Sequence, residues 1–196
     1  MQRDRKMKSG GLWYSVTIRD RDGKVVSRER RRARSMLGNW YRILYAQMSF
    51  STCSLVGTNG IDRGASWEQE NWKFKAAADE DYIGIVIGTG TTPVTIDDYK
   101  LDTQIMNGTG TGQMRHLAST PGSPFVAGSN CEFLTSRVFL NNSGGSITVR
   151  ESGIYCRCKG PTYYSYACIV RDVFGSPQDV PVGGSITIDY TLRVTA

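Results

Sequence analysis

The last stretch of the chain alternates without a break. Apolar side chains fall at Ile186, Ile188, Tyr190, Leu192 and Val194, and polar ones at Thr187, Asp189, Thr191, Arg193 and Thr195. Successive side chains of a strand point to opposite faces, so the pattern predicts a strand with one buried and one wet face that closes the fold. Residues 82–87 differ: Tyr-Ile-Gly-Ile-Val-Ile is a continuous apolar run of strand length, which predicts burial on both faces. Between the two, 131–140, 146–158 and 163–173 read as strands. They are separated by turn and breaker residues at 141–145, 159–161 and 175–177 and at Pro181, with Gly153 a candidate bulge.

The N-terminal part begins with an apolar run at 12–18 and a second at 24–27, joined through Asp22-Gly23. Asp-Gly between two such runs predicts a hairpin, because the turn requires a positive φ that glycine adopts freely. From Ser35 the period changes to three and four: Met36, Leu37, Trp40, Tyr41, Leu44, Tyr45 and Met48. This predicts an amphipathic helix with Ser35 as its cap and that stripe against the core. Gly38 and Asn39 weaken its first turn. Residues 49–81 carry turn signals at 57–60 and 63–65 but no sustained period.

The expected fold is therefore mainly β: an antiparallel β-sandwich or jelly-roll-like domain over 82–196. A basic arm, β-hairpin and helix precede it over 1–50, with an irregular connection at 51–81. Glycine, 22 of 196 residues, fits short strands joined by turns. No run approaches the ~18 apolar residues of a membrane span, so no membrane partner is expected. The charged start, Met1 to Lys6, leads to the expectation of no secretory signal and of five reduced cysteines, at Cys53, Cys131, Cys156, Cys158 and Cys168. Cys156 and Cys158 share a strand face. With His116 the only histidine and far from them in sequence, a zinc site lacks ligands, and buried free thiols are expected instead.

Charge singles out one end. Residues 1–42 hold thirteen Lys or Arg against four Asp or Glu, and the remainder holds eleven against fourteen. Five of those arginines, Arg28, Arg30, Arg31, Arg32 and Arg34, lie within seven residues. Guanidinium forks suit phosphates and carboxylates, so the segment is read as a partner-binding surface, for another protein subunit or for nucleic acid.

Other chemistry is weakly signalled. Gly88-Thr89-Gly90 follows a strand, but a dinucleotide fingerprint needs a third glycine and a helix where Pro93 and threonines stand. A nucleophile would need a base, and His116 stands in no motif. Asp79-Glu80-Asp81 and Asp97-Asp98 read as solvated loop charge or a weak cation site. No catalytic, cofactor or metal residue is assigned, and a non-enzymatic role is expected.

Several segments resemble β-rich virion structural proteins of tailed phages: 13–26 with 35–45, then 86–93 followed by Asp97-Asp98-Tyr99-Lys100-Leu101, then 139–151, and 169–173 through to Tyr190. The resemblance implies a structural subunit in the neck, tail or capsid exterior, made in the host cytoplasm and carried in the virion. Its partners would be copies of itself and other virion proteins, with contacts on 1–34 and the loops at 107–112 and 119–129. Two alternatives accompany it. One is a receptor- or glycan-binding tail-tip protein using Tyr163, Tyr164 and Tyr166; the other is a capsid protein whose basic arm contacts packaged nucleic acid.

Overall fold

The computed structural model describes residues 11–33, 36–62, 64–66, 71–160 and 163–195. Its elements are β1 (Gly11–Arg19), β2 (Val25–Ala33), α1 (Gly38–Ser49), β3 (Gly84–Gly88), β4 (Arg115–His116), β5 (Phe125–Ala127), β6 (Asn130–Leu140), β7 (Ile147–Lys159), β8 (Tyr164–Val180) and β9 (Ser185–Thr195). They form two antiparallel sheets in a sandwich-like arrangement. One has the order β2-β1-β9-β6-β4, with β5 also on β6; the other is β3-β7-β8.

The closing strand sits in the middle of the larger sheet. β9 pairs with β1 from Arg19↔Ser185 to Gly11↔Arg193, and on its other side with all of β6. The N-terminal hairpin and the C-terminal strand thus share one sheet. Period-two alternation decides what each strand buries. Leu12, Tyr14, Val16 and Ile18 of β1 face inward beside Ile186, Ile188 and Tyr190 of β9, all at most 5% exposed. Fully burying a side chain of this size contributes about 1.5–3 kcal/mol, so this inner face is a main source of stability. The alternation fails only at the end of β9, where Val194 is exposed.

The hairpin forms where expected. Gly23 takes φ +79°, and the Asp20 carboxylate accepts the N–H groups of Asp22 and Lys24. β3 is buried along its whole length because its sheet is covered twice. Ile85 and Ile87 face the inter-sheet core, whereas Val86 joins Leu37, Leu101, Tyr155 and Cys168 in a second cluster under the segment 94–101.

Three expectations need correction. Gly153 is not a bulge: it pairs in register with Val86 and Arg171, and a Cβ there would lie 2.6 Å from the Val170 carbonyl oxygen. It marks a close approach of backbones. The irregularities of the β7–β8 pair fall instead between Val149 and Glu151 and between Ile154 and Tyr155. Second, Gly175 to Pro177 do not end β8. The strand runs through them, and Pro177 lies where the ladder to β7 is interrupted, between Val173 and Gln178, so its missing N–H deprives no ladder partner.

Third, α1 starts later and faces the other way. Its N-cap is Leu37, with no side-chain cap hydrogen bond; Ser35 lies outside the described residues. The helix buries Asn39, Ile43 and Ala46, while Tyr41, Leu44, Tyr45 and Met48 stand 58%, 39%, 56% and 75% exposed. Only the start of the expected stripe, Met36, Leu37 and Trp40, packs on the core. Small Ala46, Ile43 and Asn39, whose Nδ2 donates to the Val56 carbonyl at 2.9 Å, occupy the inner face instead.

Candidate functional site

The arginine segment is edge strand β2, and the strand period divides it. In register, Arg28, Arg30 and Arg32 lie opposite Thr17, Ser15 and Trp13, on the outer face of the large sheet. The Arg30 guanidinium stands 5.8 Å from the Trp13 ring centroid, and that of Arg32 lies over Gly11, 3.3 Å from where a Cβ would be. Farther across the same face Arg193 is paired with Glu132. Alternate residues of a strand are ~7 Å apart, so the three arginines form a row along the sheet edge.

Arg31 belongs to the opposite face. It pairs with Glu29, and its guanidinium fills the space next to Gly175 that any larger residue would need. Glu29 also accepts from Ser176 Oγ at 3.3 Å and Gln178 Nε2 at 3.1 Å, which ties β2 to the far end of β8. Arg31, Tyr14, Val94 and Asp172 line a cleft of about 520 Å³. Burial, reinforced by Asp172 and Glu29, pushes the Tyr14 hydroxyl up to about 12, so it stays a hydrogen-bond donor there. Arg34 lies outside the described residues. One further role of the charged row needs no ligand: charged side chains on an edge strand oppose unwanted strand pairing.

A second feature was not signalled in the sequence. A cleft of about 360 Å³ opens at one end of the sandwich, lined by Leu12, Trp40, Leu44, Phe133, Ile154 and Leu192 among others. Trp40 and Trp72 meet edge to face at 4.8 Å on its rim. Its lining is almost entirely apolar, which suits an apolar occupant and not a water that needs two to four polar partners. Leu44 belongs both to this lining and to the exposed stripe of α1, so cleft and stripe are one apolar surface.

The acidic and glycine-rich motifs resolve into scaffolding. Asp98 accepts from Arg171 Nη1 at 2.7 Å and from the Thr95 N–H and hydroxyl. Burial alone would raise its carboxyl, but these donors outweigh it and hold the group below the ordinary carboxylate range. Glu80 accepts the Ala77 N–H and the Tyr82 hydroxyl, Asp81 accepts the Asn107 N–H, and Asp79 pairs with Arg115. Gly88 and Gly90 are required by close approach: a Cβ on Gly88 would sit 2.5 Å from the Thr103 carbonyl oxygen, and Gly90 is hemmed in by Asp102 and Glu151.

Arg137, on the inner face of β6, donates to the carbonyls of Leu117, Ile83, Ile85, Ala77 and Glu80 at 2.5–3.3 Å. Burial brings its guanidinium down to about 10, opposed by Glu80, Asp81 and Asp79. It therefore stays charged at neutral pH and gathers loop carbonyls. Beside it, His116 packs edge-on to Phe139 at 4.9 Å. Its ring nitrogens lie near the Ile105 and Glu80 carbonyls without a well-formed hydrogen bond.

All five cysteines are free: Cys156, Cys158 and Cys168 buried, Cys53 and Cys131 half-buried. The Cys156 and Cys158 sulfurs are 3.5 Å apart. Among the described residues no group of three or more His, Cys, Asp or Glu is arranged to hold a metal ion, and no helix is long and apolar enough to cross a membrane. Of the tail-tip tyrosines, Tyr163 and Tyr164 are 61% and 52% exposed, with Arg157 4.7 Å from the Tyr164 ring centroid. Tyr166 is half-buried against Tyr82. The 107–112 loop is pinned by Asn107 and Gln113, whereas 119–129, expected as a loop, contains β5 paired on β6 with Phe125 and Val126 exposed.

No protein-family model, characterised protein or solved structure matches this chain.

Proposed function

We propose that the protein is a structural subunit of a tailed virus particle, a neck, tail or capsid-exterior component. It acts by symmetric contact with copies of itself and with other virion proteins, and is made in the host cytoplasm. The observation that carries this reading is the apolar face of α1: Tyr41, Leu44, Tyr45 and Met48 lie uncovered beside an apolar cleft. Contiguous apolar surface of this kind marks a contact site. The row Arg28, Arg30 and Arg32, on an edge strand of a different chemical character, supplies a second contact surface, suited to acidic patches of a neighbour.

Quantitative peptide mapping of purified particles, with antibody labelling viewed by electron microscopy, tests the reading. The chain should be present in fixed stoichiometry and label the neck, tail or outer capsid. Recovery only in the unassembled fraction of the lysate would sink it.

The arginine row also favours a second reading, contact with packaged nucleic acid. Three phosphates neutralised by Arg28, Arg30 and Arg32 would give a salt dependence with a log–log slope of about −2 to −3. Particle association that survives nuclease and high salt would leave the assembly reading standing and remove this one. The exposed pair Tyr163 and Tyr164 is the corresponding feature for a tail-tip receptor contact. Loss of cell or glycan binding in Tyr163→Ala or Tyr164→Ala would support that role.

A further inference from the structure

We infer that α1 is the core of a two-fold interface between two copies of this chain. The inference rests on the assembly reading above and names its partner and its contact.

The helix sequence, GNWYRILYAQMS, contains one charged residue. That residue, Arg42, is turned aside toward Asp97, 3.9 Å away. The outward stripe at positions 41, 44, 45 and 48 has the three–four spacing of a packing face, and its side chains stand 58%, 39%, 56% and 75% exposed. A surface without charge has no preference for an oppositely charged partner and no repulsion against itself. A second copy fulfils both conditions.

An isologous contact is self-complementary: what one copy presents at one position, the other meets at a second, and the reverse. If the two helices run antiparallel about an axis between Leu44 and Tyr45, Leu44 meets Tyr45 of the other copy, and Tyr41 meets Met48. The long, flexible Met48 is then carried to the rim of the opposing apolar cleft near Trp40, which Leu44 also lines. Methionine fills irregular apolar gaps well and makes favourable sulfur–aromatic contacts. Each cleft would receive the other copy's side chain, and both would be closed by one contact.

The stripe supplies most of the area that such a contact needs. Side chains of this size exposed to about half their extent offer on the order of 100 Å² each. The stripe alone therefore provides roughly 800 Å² over two copies, and the cleft rims with exposed Ile96, whose carbonyl accepts the Gly38 N–H at 2.8 Å, add to it. The ~1,000 Å² that a specific interface must clear therefore requires those rims to contribute about 200 Å² beyond the stripe.

Sedimentation equilibrium of the full chain, from about 1 to 100 µM, tests the contact. The wild-type protein should have twice the 21.7 kDa chain mass. The exposed-site double variant Leu44→Asp/Met48→Asp should be monomeric over that range, with unchanged far-ultraviolet circular dichroism. A second readout guards against a folding defect: Tyr45→Cys should give a disulfide-linked dimer on oxidation, whereas Val26→Cys at the exposed hairpin tip should not. A wild-type monomer throughout, or a dimer untouched by the double substitution, would overturn the inference. Dissociation by Arg30→Glu with the double variant still assembled would place the contact on the arginine row. That result overturns the helix interface and leaves the assembly reading intact, while absence from purified particles sinks the assembly reading alone.

Discussion

Arg171 and Glu151 lie on neighbouring strands of the small sheet, Nε 2.8 Å from Oε2, with side chains 2% and 0% exposed. Each does more than neutralise the other. Glu151 also accepts the N–H groups of Gly90, Asp102 and Thr103, and Arg171 also reaches Asp98 and the Thr92 carbonyl. The pair therefore pins the whole 90–103 segment over the outer face of β3, β7 and β8, where the second apolar cluster sits.

Removing one member should be expensive, because the other is left buried and uncompensated. Arg171→Met is expected to cost about 3–5 kcal/mol in urea unfolding. Combining it with Glu151→Gln should not restore stability, since the three amides that the carboxylate gathers lose their charged acceptor. Hydrogen exchange at Gly90, Asp102 and Thr103 should accelerate ahead of global unfolding. Unchanged exchange there would show that the segment is held by its apolar contacts alone.

The glycines at close approaches give a sharper test. Gly153→Ala places a Cβ against the Val170 carbonyl, which is backbone and cannot turn aside, so a loss of about 1–3 kcal/mol is expected from overpacking. Gly144→Ala meets nothing within 4 Å and should be neutral within about 0.5 kcal/mol. Equal denaturant midpoints for the two variants would refute the packing argument.

What the sequence disclosed and what it hid follow from the range of each interaction. β9, β1 and β3 were legible because alternation, or its absence, reports burial locally, and the Asp22-Gly23 turn needs only its own geometry. The division of the arginines was also within reach: period two on β2 separates Arg28, Arg30 and Arg32 from Glu29 and Arg31. The facing of α1 was not, because an apolar stripe shows that a surface wants covering without showing whether the cover is the same chain. Arg137 and Arg171 carried no signal, since their partners lie up to 60 and 79 residues away. Gly88-Thr89-Gly90 lacks the dinucleotide fingerprint, but the reason for its glycines was hidden, because close backbone approach calls for glycine whether the approaching group is a phosphate or, as here, Thr103 and Glu151.

The thiols should divide by burial. Burial raises the pKa of Cys156 and Cys168 far above that of a free thiol, and a thiol in that state is a poor nucleophile. An aromatic disulfide reagent should therefore modify only Cys53 and Cys131 in the native protein and all five after denaturation. Of the two, Cys53 should react more slowly, because burial raises its pKa and its sulfur lies 3.1 Å from the Arg42 carbonyl. Rapid native labelling of Cys156 or Cys158 would mean that the sandwich opens at that end.

His116 should make stability depend on pH in a defined window. Burial first, and the Arg137 charge second, lower its pKa from 6.5 to about 4. The folded protein thus holds the ring neutral, whereas the unfolded chain takes up a proton below about 6.5. Stability is therefore fully present above pH 6.5, falls as the unfolded state gains its proton, and levels off once the folded state also protonates near pH 4. Integrated over that interval, the shift corresponds to about 3 kcal/mol. Asp98 and Glu80, both held below their ordinary values of 3.8 and 4.5, add their own loss of stability only toward the low end of this window. His116→Leu, which keeps an apolar partner for Phe139, should abolish most of the slope between pH 6.5 and 4.5 in chemical-denaturation curves. A variant with the wild-type slope would show that the ring is already protonated, or solvated, in the folded protein.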